Sequence, residues 1–269
     1  MYTVLLVIIL LSVLFTLSTA GRSNHKGIQA LRGWSYAHRG LHGHGVPENS
    51  MEAFRRAKQA GYGIELDIHL LSDGNLAVIH DSLLVRTTGR SGTIEELTTE
   101  QLNDFYLEGT EQSIPEFREV LDLFDGAAPL IVELKCVNNN YAALCKAACN
   151  MLDGYSGPYC VESFDPRCIY WLRKNRPDII RGQLAENYLL ARKSKAPLLL
   201  RFVLKNHMLN FLVKPDFIAY KFSDRVSAGN WICRNLWKIQ GVTWTVKNQT
   251  DYDTAVREGW IPIFEGFKP

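Results

Sequence analysis

Short apolar runs alternate with amphipathic stretches along most of this chain, from Trp34 to its carboxyl end. Runs of four to eight residues rich in Val, Ile and aromatic side chains are typical of strands, and apolar positions three or four apart are typical of helices. The pattern predicts strands at 34–38, 63–70, 76–80, 130–135, 159–162, 179–183, 217–220, 242–246 and 261–264. It predicts helices at 49–60, 115–124, 140–152, 166–176, 224–239 and 249–258.

The order of these elements favours one fold class. The second and third strands are separated by Asp73-Gly74 and are predicted to form a short β-hairpin. The other eight strands alternate with helices over about 250 residues, which indicates a (β/α)8 TIM barrel with active groups at the carboxyl ends of its strands. Residues 82–114 break the rhythm, because they are polar and rich in Thr, Gly and Glu. We interpret them as an insertion over the barrel mouth.

A long apolar segment precedes the first strand. Its seventeen residues are apolar apart from Thr3, Ser12 and Thr16. Crossing a bilayer takes roughly 17 to 25 such residues, so the segment is near the lower limit. It could be a secretory signal peptide, since residues 18–20 are small, although no Lys or Arg precedes the run.

We favour an uncleaved, single-pass membrane anchor at residues 1–20. Basic residues follow it at Arg22, Lys26 and Arg32, and positive flanks tend to stay in the cytoplasm. The expected organisation is then the anchor, a juxtamembrane linker at 21–33 and a catalytic barrel at 34–269 on the cytoplasmic side. Secretion after cleavage of the segment is the alternative.

Composition narrows the choice of partners. The chain has 30 basic and 28 acidic residues and a formal charge of +2, and its densest basic run is the short stretch 192–195. No segment concentrates Lys and Arg as a nucleic-acid-binding face does. The six cysteines are scattered through predicted strands and helices, so we interpret them as small buried hydrophobic residues. We therefore expect a small molecule or a lipid as partner and no nucleic acid, and the oligomeric state is left open.

Acidic side chains occupy predicted strands that are otherwise apolar. Glu65 and Asp67 stand two apart in GIELDIHL and so point to one side of the strand, about 7 Å apart at their Cα atoms. Two carboxylates in that position repel each other unless a cation lies between them. Glu133 repeats the pattern in LIVELK, with Lys135 on the same face. Oxygen ligands of this kind select a hard cation, Mg²⁺ or Ca²⁺.

Two histidines are expected near these carboxylates. His38 ends the first predicted strand and Arg39 follows it. A two-residue loop at Asp73-Gly74 pairs Asp67 with His80, about 5 Å apart at their Cβ atoms. With one divalent ion, the formal charge of these acidic and basic groups is +1. Such a site attracts a phosphodiester monoanion, which the guanidinium of Arg39 can bind through two hydrogen bonds.

The strings that carry these residues resemble a known family. AHRGLHGHGVPENSMEAF, GIELDIHLLSDGNLAVIHD, RTTGRSG, IVELK, ESFDP and TWTV follow the order and spacing of the glycerophosphodiester phosphodiesterase family over most of residues 34–264. The resemblance implies a barrel with an insertion at 82–114 and the metal-dependent hydrolysis of glycerophosphodiesters to glycerol 3-phosphate and an alcohol. The ending FEGFKP departs from that family's usual Thr-Asp-x-Pro-like segment.

The resemblance also implies a role for each matching residue. The catalytic pair is His38 and His80, and one divalent cation is bound by Glu65, Asp67 and Glu133. The phosphate contacts are Arg39 and Lys135, and the aromatic residues lining the substrate pocket are Phe164 and Trp244.

Three functions stay open. Glycerophosphodiester hydrolysis is preferred, because lipase toxins with a related barrel lack a segment comparable to the TTG-containing insertion. A lysophospholipase D-type or sphingomyelinase D-type enzyme acting on membrane lipids is the alternative. A non-catalytic barrel that binds a phosphodiester or lipid head group is the second alternative, disfavoured because both histidines and all the acidic residues are present. An Asp67 opposite His80 favours the imidazolium, so we expect His80 to be the acid and His38 the base.

Overall fold

The barrel closes as the sequence pattern predicts. The structure is a computed structural model that describes residues 1–190 and 196–269, and the basic run at 192–195 lies outside the described residues. The strands of the described part are β1 (Tyr36–His38), β2 (Gly63–Leu70), β3 (Leu76–Val78), β4 (Leu130–Leu134), β5 (Tyr159–Ser163), β6 (Arg181–Ala185), β7 (Phe217–Lys221), β8 (Gln240–Val246) and β9 (Trp260–Phe264). All except β3 run parallel in the order β1-β9-β8-β7-β6-β5-β4-β2, and β1 pairs with β2 to close the ring. The prediction of a (β/α)8 TIM barrel is therefore confirmed.

Helices alternate with these strands along the chain. They are α1 (Tyr2–Ser18), α2 (Met51–Gln59), α3 (Val85–Thr88), α4 (Phe117–Phe124), α5 (Tyr141–Leu152), α6 (Pro166–Asn175), α7 (Leu198–Lys205), α8 (Asn210–Val213), α9 (Ala228–Trp231) and α10 (Gln249–Arg257). Their starts follow local chemistry: the side chains of Ser50 and Asn248 cap α2 and α10, and Asp165 with Pro166 begins α6. The helix predicted at 224–239 is divided into α9 and a π-helical turn, Ile232–Leu236. Neither α7 nor α8 was predicted.

Side chains alternate between the two faces of each strand and so form two separate apolar layers. In β4, Leu130, Val132 and Leu134 pack outward against the helices, whereas Ile131 faces the barrel interior. Glu133 has the parity of Ile131 and so faces inward, at the carboxyl end of its strand. The same parity turns the acidic residues of β2 and β5 into the barrel. The apolar lower interior and the charged mouth are thus two levels of the same inward face.

The segment before β1 seals the lower end of the barrel. The 3₁₀ turn Lys26–Leu31 places Ile28 and Leu31 in the interior apolar cluster. Arg22 forms an ion pair with the buried Asp216 and donates to the carbonyl oxygen of Pro177 at 2.8 Å. Residues expected to be a linker therefore pack against the barrel, and one of the expected flanking cations is engaged there.

The amino-terminal helix α1 stands clear of the barrel along most of its length. Its 17 residues include no buried side chain. In the described part of the chain, every helix is too short or too polar to traverse a bilayer, α1 included. The expectation of a membrane-spanning anchor is not supported by this finding.

The insertion at 82–114 is built on the hairpin. It contains α3 and the 3₁₀ turns Ile94–Glu96 and Thr99–Asp104. Its apolar side chains form a cluster with those of the hairpin, which comprises Leu71, Ala77, Ile79, Leu84, Ile94, Leu102, Phe105, Leu107 and Ile114. The buried His69 places Nδ1 2.6 Å from Oε1 of Glu95, which fastens the insertion to β2.

The predicted hairpin register is wrong by one residue. The loop has three residues, since the amide of Leu71 donates to the carbonyl of Asn75 at 2.9 Å, and Gly74 adopts a left-handed φ of 87°. Loops of this kind combine a turn with a bulge. The register pairs Ile68 with Val78, and the amide of Ile79 donates to the carbonyl of Asp67 at 3.1 Å. Asp67 therefore does not oppose His80, which lies two residues beyond the end of β3.

Candidate active site

Three carboxylates meet at the mouth of the barrel. Asp67 pairs in register with Glu133 across β2 and β4, and Glu65 lies one inward position below Asp67. Oxygen atoms of these three residues all lie within 4.8 Å of one another, and the three side chains are buried. Carboxylate oxygens in such a group suit a hard divalent cation.

The protonation behaviour of the carboxylates reflects their crowding. Burial and the charges of the other two carboxylates hold the pKa of Glu65 well above its usual range. Burial raises the pKa of Glu133 to about 7. Burial acts on Asp67 in the same direction, but the cations Lys135 and Arg39 lower its pKa far below the usual range. A bound divalent cation relieves this repulsion, so the residues present fit the predicted metal.

Both predicted phosphate ligands face these carboxylates. Nζ of Lys135 lies 2.9 Å from Oδ1 of Asp67 and 2.7 Å from Oε1 of Glu133. Arg39 adopts a left-handed φ of 53°, and its backbone amide donates to Oε2 of Glu65 at 3.1 Å. Its Nε lies 3.4 Å from Oδ2 of Asp67 without forming a hydrogen bond there. Two cations thus stand beside the three carboxylates, and Nε of Arg39 has no acceptor among the described residues.

His38 is oriented by a residue that sequence reasoning missed. Its Nδ1 lies 2.6 Å from Oε2 of Glu265, and its Nε2 lies 3.9 Å from Oε2 of Glu65. Hydrogen bonding from His38 lowers the pKa of Glu265 to about 2, so this carboxylate is ionised and accepts the proton on Nδ1. The free Nε2 then points towards the carboxylate cluster. Burial lowers the pKa of His38, although Glu265 opposes the effect.

Glu265 was not predicted because it lies where the sequence departs from the family pattern. It follows β9 in the ending FEGFKP, which lacks the usual segment. Because β9 pairs with both β1 and β8, its end is next to His38 in space although 227 positions separate the two residues. The last strand is therefore part of the site.

His80, like His38, is oriented by a carboxylate, and this one is held by the insertion. Its Nδ1 lies 2.6 Å from Oδ1 of Asp81, and Arg86 of α3 binds the other oxygen of that carboxylate. Arg86 also donates to Oε1 of Glu48 at 2.5 Å, and Glu48 accepts from Arg39 at 3.0 Å. A continuous series of charged side chains therefore links His80 to Arg39. Burial lowers the pKa of His80, and the charge of Asp67 opposes the shift.

These linking residues were not predicted as functional. Glu48 and Arg86 stand in the strings VPENS and RTTG, which carry the family resemblance, so a signal existed. Asn49 was not predicted as functional either, although its Nδ2 donates to Oδ2 of Asp67 at 2.8 Å. Glu162 was also missed. It is buried on the inward face of β5, where burial and Glu133 hold its pKa well above the usual range.

Two neighbouring cavities border the carboxylate cluster. The inner cavity has a volume of about 40 Å³ and is lined by His38, Arg39, Glu65, His80, Glu133, Glu162, Phe164, Leu184, Trp244 and Ile263. The rings of Phe164 and Trp244 meet edge to face in its wall, with centroids 5.6 Å apart. The outer cavity has a volume of about 540 Å³ and lies between the insertion and the loops after β4 and β5. His80, Glu133 and Phe164 border both.

Comparison with known proteins identifies a family for this architecture. The model of the glycerophosphoryl diester phosphodiesterase family matches residues 38–264. A glycerophosphodiester phosphodiesterase of Bacillus altitudinis is 41% identical over 113 residues, which cover 39% of this chain and 46% of that protein. Human glycerophosphodiester phosphodiesterase 1 is 33% identical over 159 residues, covering 54% of this chain and 46% of the human protein. The matched segment thus spans less than half of the length of these relatives.

Solved structures agree in fold. An Oleispira antarctica phosphodiesterase, determined in complex with sn-glycerol-3-phosphate, superposes with a TM-score of 0.71 at 20% identity, covering 86% of this chain and 92% of that one. A second solved structure, from Silicibacter pomeroyi, gives a TM-score of 0.72 at 21% identity, covering 90% of this chain and 94% of that one. At this identity the likeness concerns the fold alone.

Proposed function

The chain belongs to the glycerophosphoryl diester phosphodiesterase family, and on that premise we propose that it hydrolyses glycerophosphodiesters to glycerol 3-phosphate and an alcohol. One observation carries the proposal. The convergence of Glu65, Asp67 and Glu133 within 4.8 Å lies beside a cavity that both His38 and His80 line. A carboxylate site for a divalent cation flanked by two imidazoles provides what the hydrolysis of a phosphodiester requires.

The divalent cation, Mg²⁺ or Ca²⁺, would be held by these three carboxylates. When bound, it supplies a positive charge that polarises a phosphoryl oxygen and offsets the charge developing on the reacting phosphate. Phosphate binding and both proton transfers are assigned to side chains of the protein.

The cations Arg39 and Lys135 bind the phosphate oxygens. A water oxygen forms the new bond to phosphorus, and Nε2 of His38 takes the proton that this water loses. The bond from phosphorus to the alcohol oxygen breaks, and His80 in its protonated form gives that oxygen a proton. Each proton transfer contributes on the order of 10² to 10⁴ in rate.

The assignment of acid and base no longer rests on the predicted hairpin register. His38 is the more enclosed of the two, with 12% of its side chain exposed against 32% for His80. His38 borders the inner cavity, whereas His80 borders both cavities and so reaches a leaving alcohol in the outer one. Their positions support His38 as base and His80 as acid.

Release of glycerol 3-phosphate from glycerophosphocholine tests the proposal. The purified full chain should release it in the presence of Mg²⁺ or Ca²⁺, chelation with EDTA should abolish the release, and re-addition of the cation should restore it. The His38→Ala and His80→Ala variants should fold and bind the cation but lose most turnover. A wild-type chain that binds the diester without cleaving it would instead establish the non-catalytic barrel.

One observation favours a second substrate class. Apolar side chains line part of the outer cavity, among them Leu83, Val85 and Val137. An acyl chain on the substrate could lie along them, as a lysophospholipase D-type reaction requires. The release of choline from lysophosphatidylcholine and from glycerophosphocholine at equal concentration decides between the two classes.

We further propose that α1 attaches the barrel to a lipid surface, with the barrel on the cytoplasmic side. A helix that is apolar on all faces needs an apolar environment, and α1 exposes its large side chains to solvent. Co-sedimentation of the full chain with phosphatidylcholine vesicles should be lost when Leu6, Ile9 and Leu10 are replaced by Ser. Sedimentation of this variant at the wild-type level refutes the attachment.

A further inference from the structure

A group of cations lies at the opposite end of the barrel from the candidate active site. Arg181 is the first residue of β6, and Lys214 stands three residues before β7, so both lie at the amino ends of parallel strands. With Arg22 and Arg173 they line a pocket of about 520 Å³. The candidate active site lies at the carboxyl ends of the strands, so this pocket is a separate surface of the barrel.

Only one of the four cations is paired with a carboxylate. Arg22 binds both oxygens of the buried Asp216. The side chains of Arg173, Arg181 and Lys214 donate instead to main-chain carbonyl oxygens at or just beyond the ends of α8 and α1. Carbonyl oxygens at a helix end carry only a partial negative charge. Within residues 1–190 and 196–269, the pocket therefore has three cations without a carboxylate partner.

Arg181 is the most enclosed of these cations. It is 2% exposed, and its buried Nη1 has no acceptor among the residues that the structure describes. Burial lowers the pKa of Arg181 to about 10, and the charges of Arg22 and Arg173 act in the same direction, although Asp216 opposes the shift. Burial and the charge of Arg173 also lower the pKa of Lys214. Because buried charges in proteins are normally paired, this arrangement indicates that the pocket accepts an anion.

The pocket begins where the apolar helix α1 ends. The helix ends at Ser18, and Gly21 already lines the pocket. The base of α1 is fixed to the barrel, since Thr19 is fully buried and Nε1 of Trp237 donates to the carbonyl oxygen of Thr16 at 3.0 Å. A lipid surface that receives α1 therefore brings its head groups to the level of the pocket. Cations directly after an apolar helix are suited to anionic head groups.

Exposed apolar side chains beside the pocket favour a lipid over a free anion. Phe211 and Leu212 of α8 are 46% and 43% exposed, and α8 contacts α1. Their carbonyl oxygens accept hydrogen bonds from Arg173, so the apolar and cationic groups are adjacent. A free inorganic anion needs only the cations. Large exposed apolar side chains next to cations match the boundary between head groups and acyl chains.

We propose that the pocket lined by Arg173, Arg181 and Lys214 binds the phosphate group of an anionic lipid. The helix α1 and the pocket then hold the barrel on a lipid surface together, and the mouth of the barrel opens at the other end, where soluble diesters reach it. The inference rests on the proposed attachment by α1 for the source of the phosphate, and it is independent of the proposed reaction.

Co-sedimentation of the full chain with two kinds of vesicle tests the inference. One kind contains phosphatidylcholine alone and the other a mixture of phosphatidylcholine and phosphatidylglycerol. The wild type should bind the mixed vesicles about tenfold more tightly or better, since each cation near an anionic surface adds to the attraction. The double variant Arg173→Gln, Lys214→Gln should reduce this preference to about threefold or less. It should bind the neutral vesicles as the wild type does, because α1 is unchanged.

The double variant Arg118→Gln, Lys146→Gln is the matched control. Arg118 of α4 and Lys146 of α5 are exposed and lie outside the pocket. The control removes the same two charges and should keep the wild-type preference for mixed vesicles. Circular dichroism establishes that both variants are folded. Millimolar inorganic phosphate should leave the wild type on the mixed vesicles.

Three results would overturn the inference. The first is equal binding of the wild type to both kinds of vesicle. The second is an equal preference in the two double variants, which would reduce the effect to the net charge of the chain. The third is release of the wild type by inorganic phosphate, which would make the pocket a site for a free anion. If the preference behaves as expected but glycerophosphocholine is not cleaved, the proposed reaction fails and the lipid site stands.

Discussion

The contact between His38 and Glu265 gives the sharpest prediction about the reaction. Replacing Glu265 with Gln keeps the size of the side chain and removes its charge. The present contact joins Nδ1 and Oε2 at 2.6 Å, a length typical of a charge-assisted hydrogen bond. Such bonds contribute about 1.5 to 3 kcal/mol, which corresponds to about 10- to 100-fold in rate at about 1.4 kcal/mol for each factor of ten. We therefore expect Glu265→Gln to lower kcat by that factor.

The pH profile distinguishes positioning of the base from a general structural defect. Glu265 raises the pKa of His38 in opposition to the effect of burial. Removal of Glu265 therefore lowers the pKa of His38. A base acts in its neutral form, so activity is lost as the pH falls through the pKa of His38. The acid limb of kcat/KM should consequently move to lower pH in the variant while the plateau falls.

Lys247 provides the control for this experiment. It approaches Oε1 of Glu265 at 3.2 Å, but 67% of its side chain is exposed. A pair exposed to this degree contributes little, so Lys247→Gln should change kcat by less than about twofold. The reasoning is refuted if Glu265→Gln leaves the acid limb in place or moves it to higher pH, or if both variants lower kcat equally.

Further predictions concern the insertion, the metal site and the core. Arg86→Ala should lower kcat on glycerophosphocholine by about tenfold with little change in KM, because it frees the Asp81 carboxylate that orients His80. The variant should have little effect on a p-nitrophenyl phosphodiester, whose leaving group needs no acid. Equal losses of kcat on both substrates would contradict this. Asp67→Asn should weaken the cation affinity measured by calorimetry at least tenfold, whereas unchanged affinity would remove Asp67 from the metal site. Burial lowers the pKa of His207 from 6.5 to about 4, so the unfolded chain binds more protons between these values and the free energy of unfolding should fall by about 3 kcal/mol as the pH drops from 7 to 4. Urea denaturation at both pH values should show a smaller drop in His207→Gln, and an equal drop would refute the role of this residue.

The parity of side chains along strands made much of the site predictable. Because alternate residues of a strand face the same side, GIELDIHL and LIVELK alone place Glu65, Asp67 and Glu133 on the inward face. The closed parallel sheet then brings the ends of the two strands side by side, since adjacent parallel strands end at the same edge. The predicted fold follows from the same local pattern repeated along the chain.

What the sequence did not reveal depends on loop length and on contacts between distant segments. The loop at Asp73-Gly74 takes three residues because the carboxylate of Asp73 accepts hydrogen bonds from the amides of Asn75 and Thr99, and the latter belongs to the insertion. No local pattern reports that contact, and a single residue shifts the register. The pairing of His38 with Glu265 likewise exists only once the barrel has closed.

The two histidines are supported by different parts of the molecule. His38 ends the first strand of the barrel, and its carboxylate partner Glu265 follows the last strand, which pairs with the first. His80 depends on the hairpin and the insertion, through Asp81 and Arg86. The proposed base, His38, is therefore fixed by closure of the barrel, beside the inner cavity. The proposed acid, His80, is held by the insertion, which also forms a wall of the outer cavity. We therefore expect changes in the insertion to alter the outer cavity without disturbing the carboxylate cluster, Arg39 or Lys135.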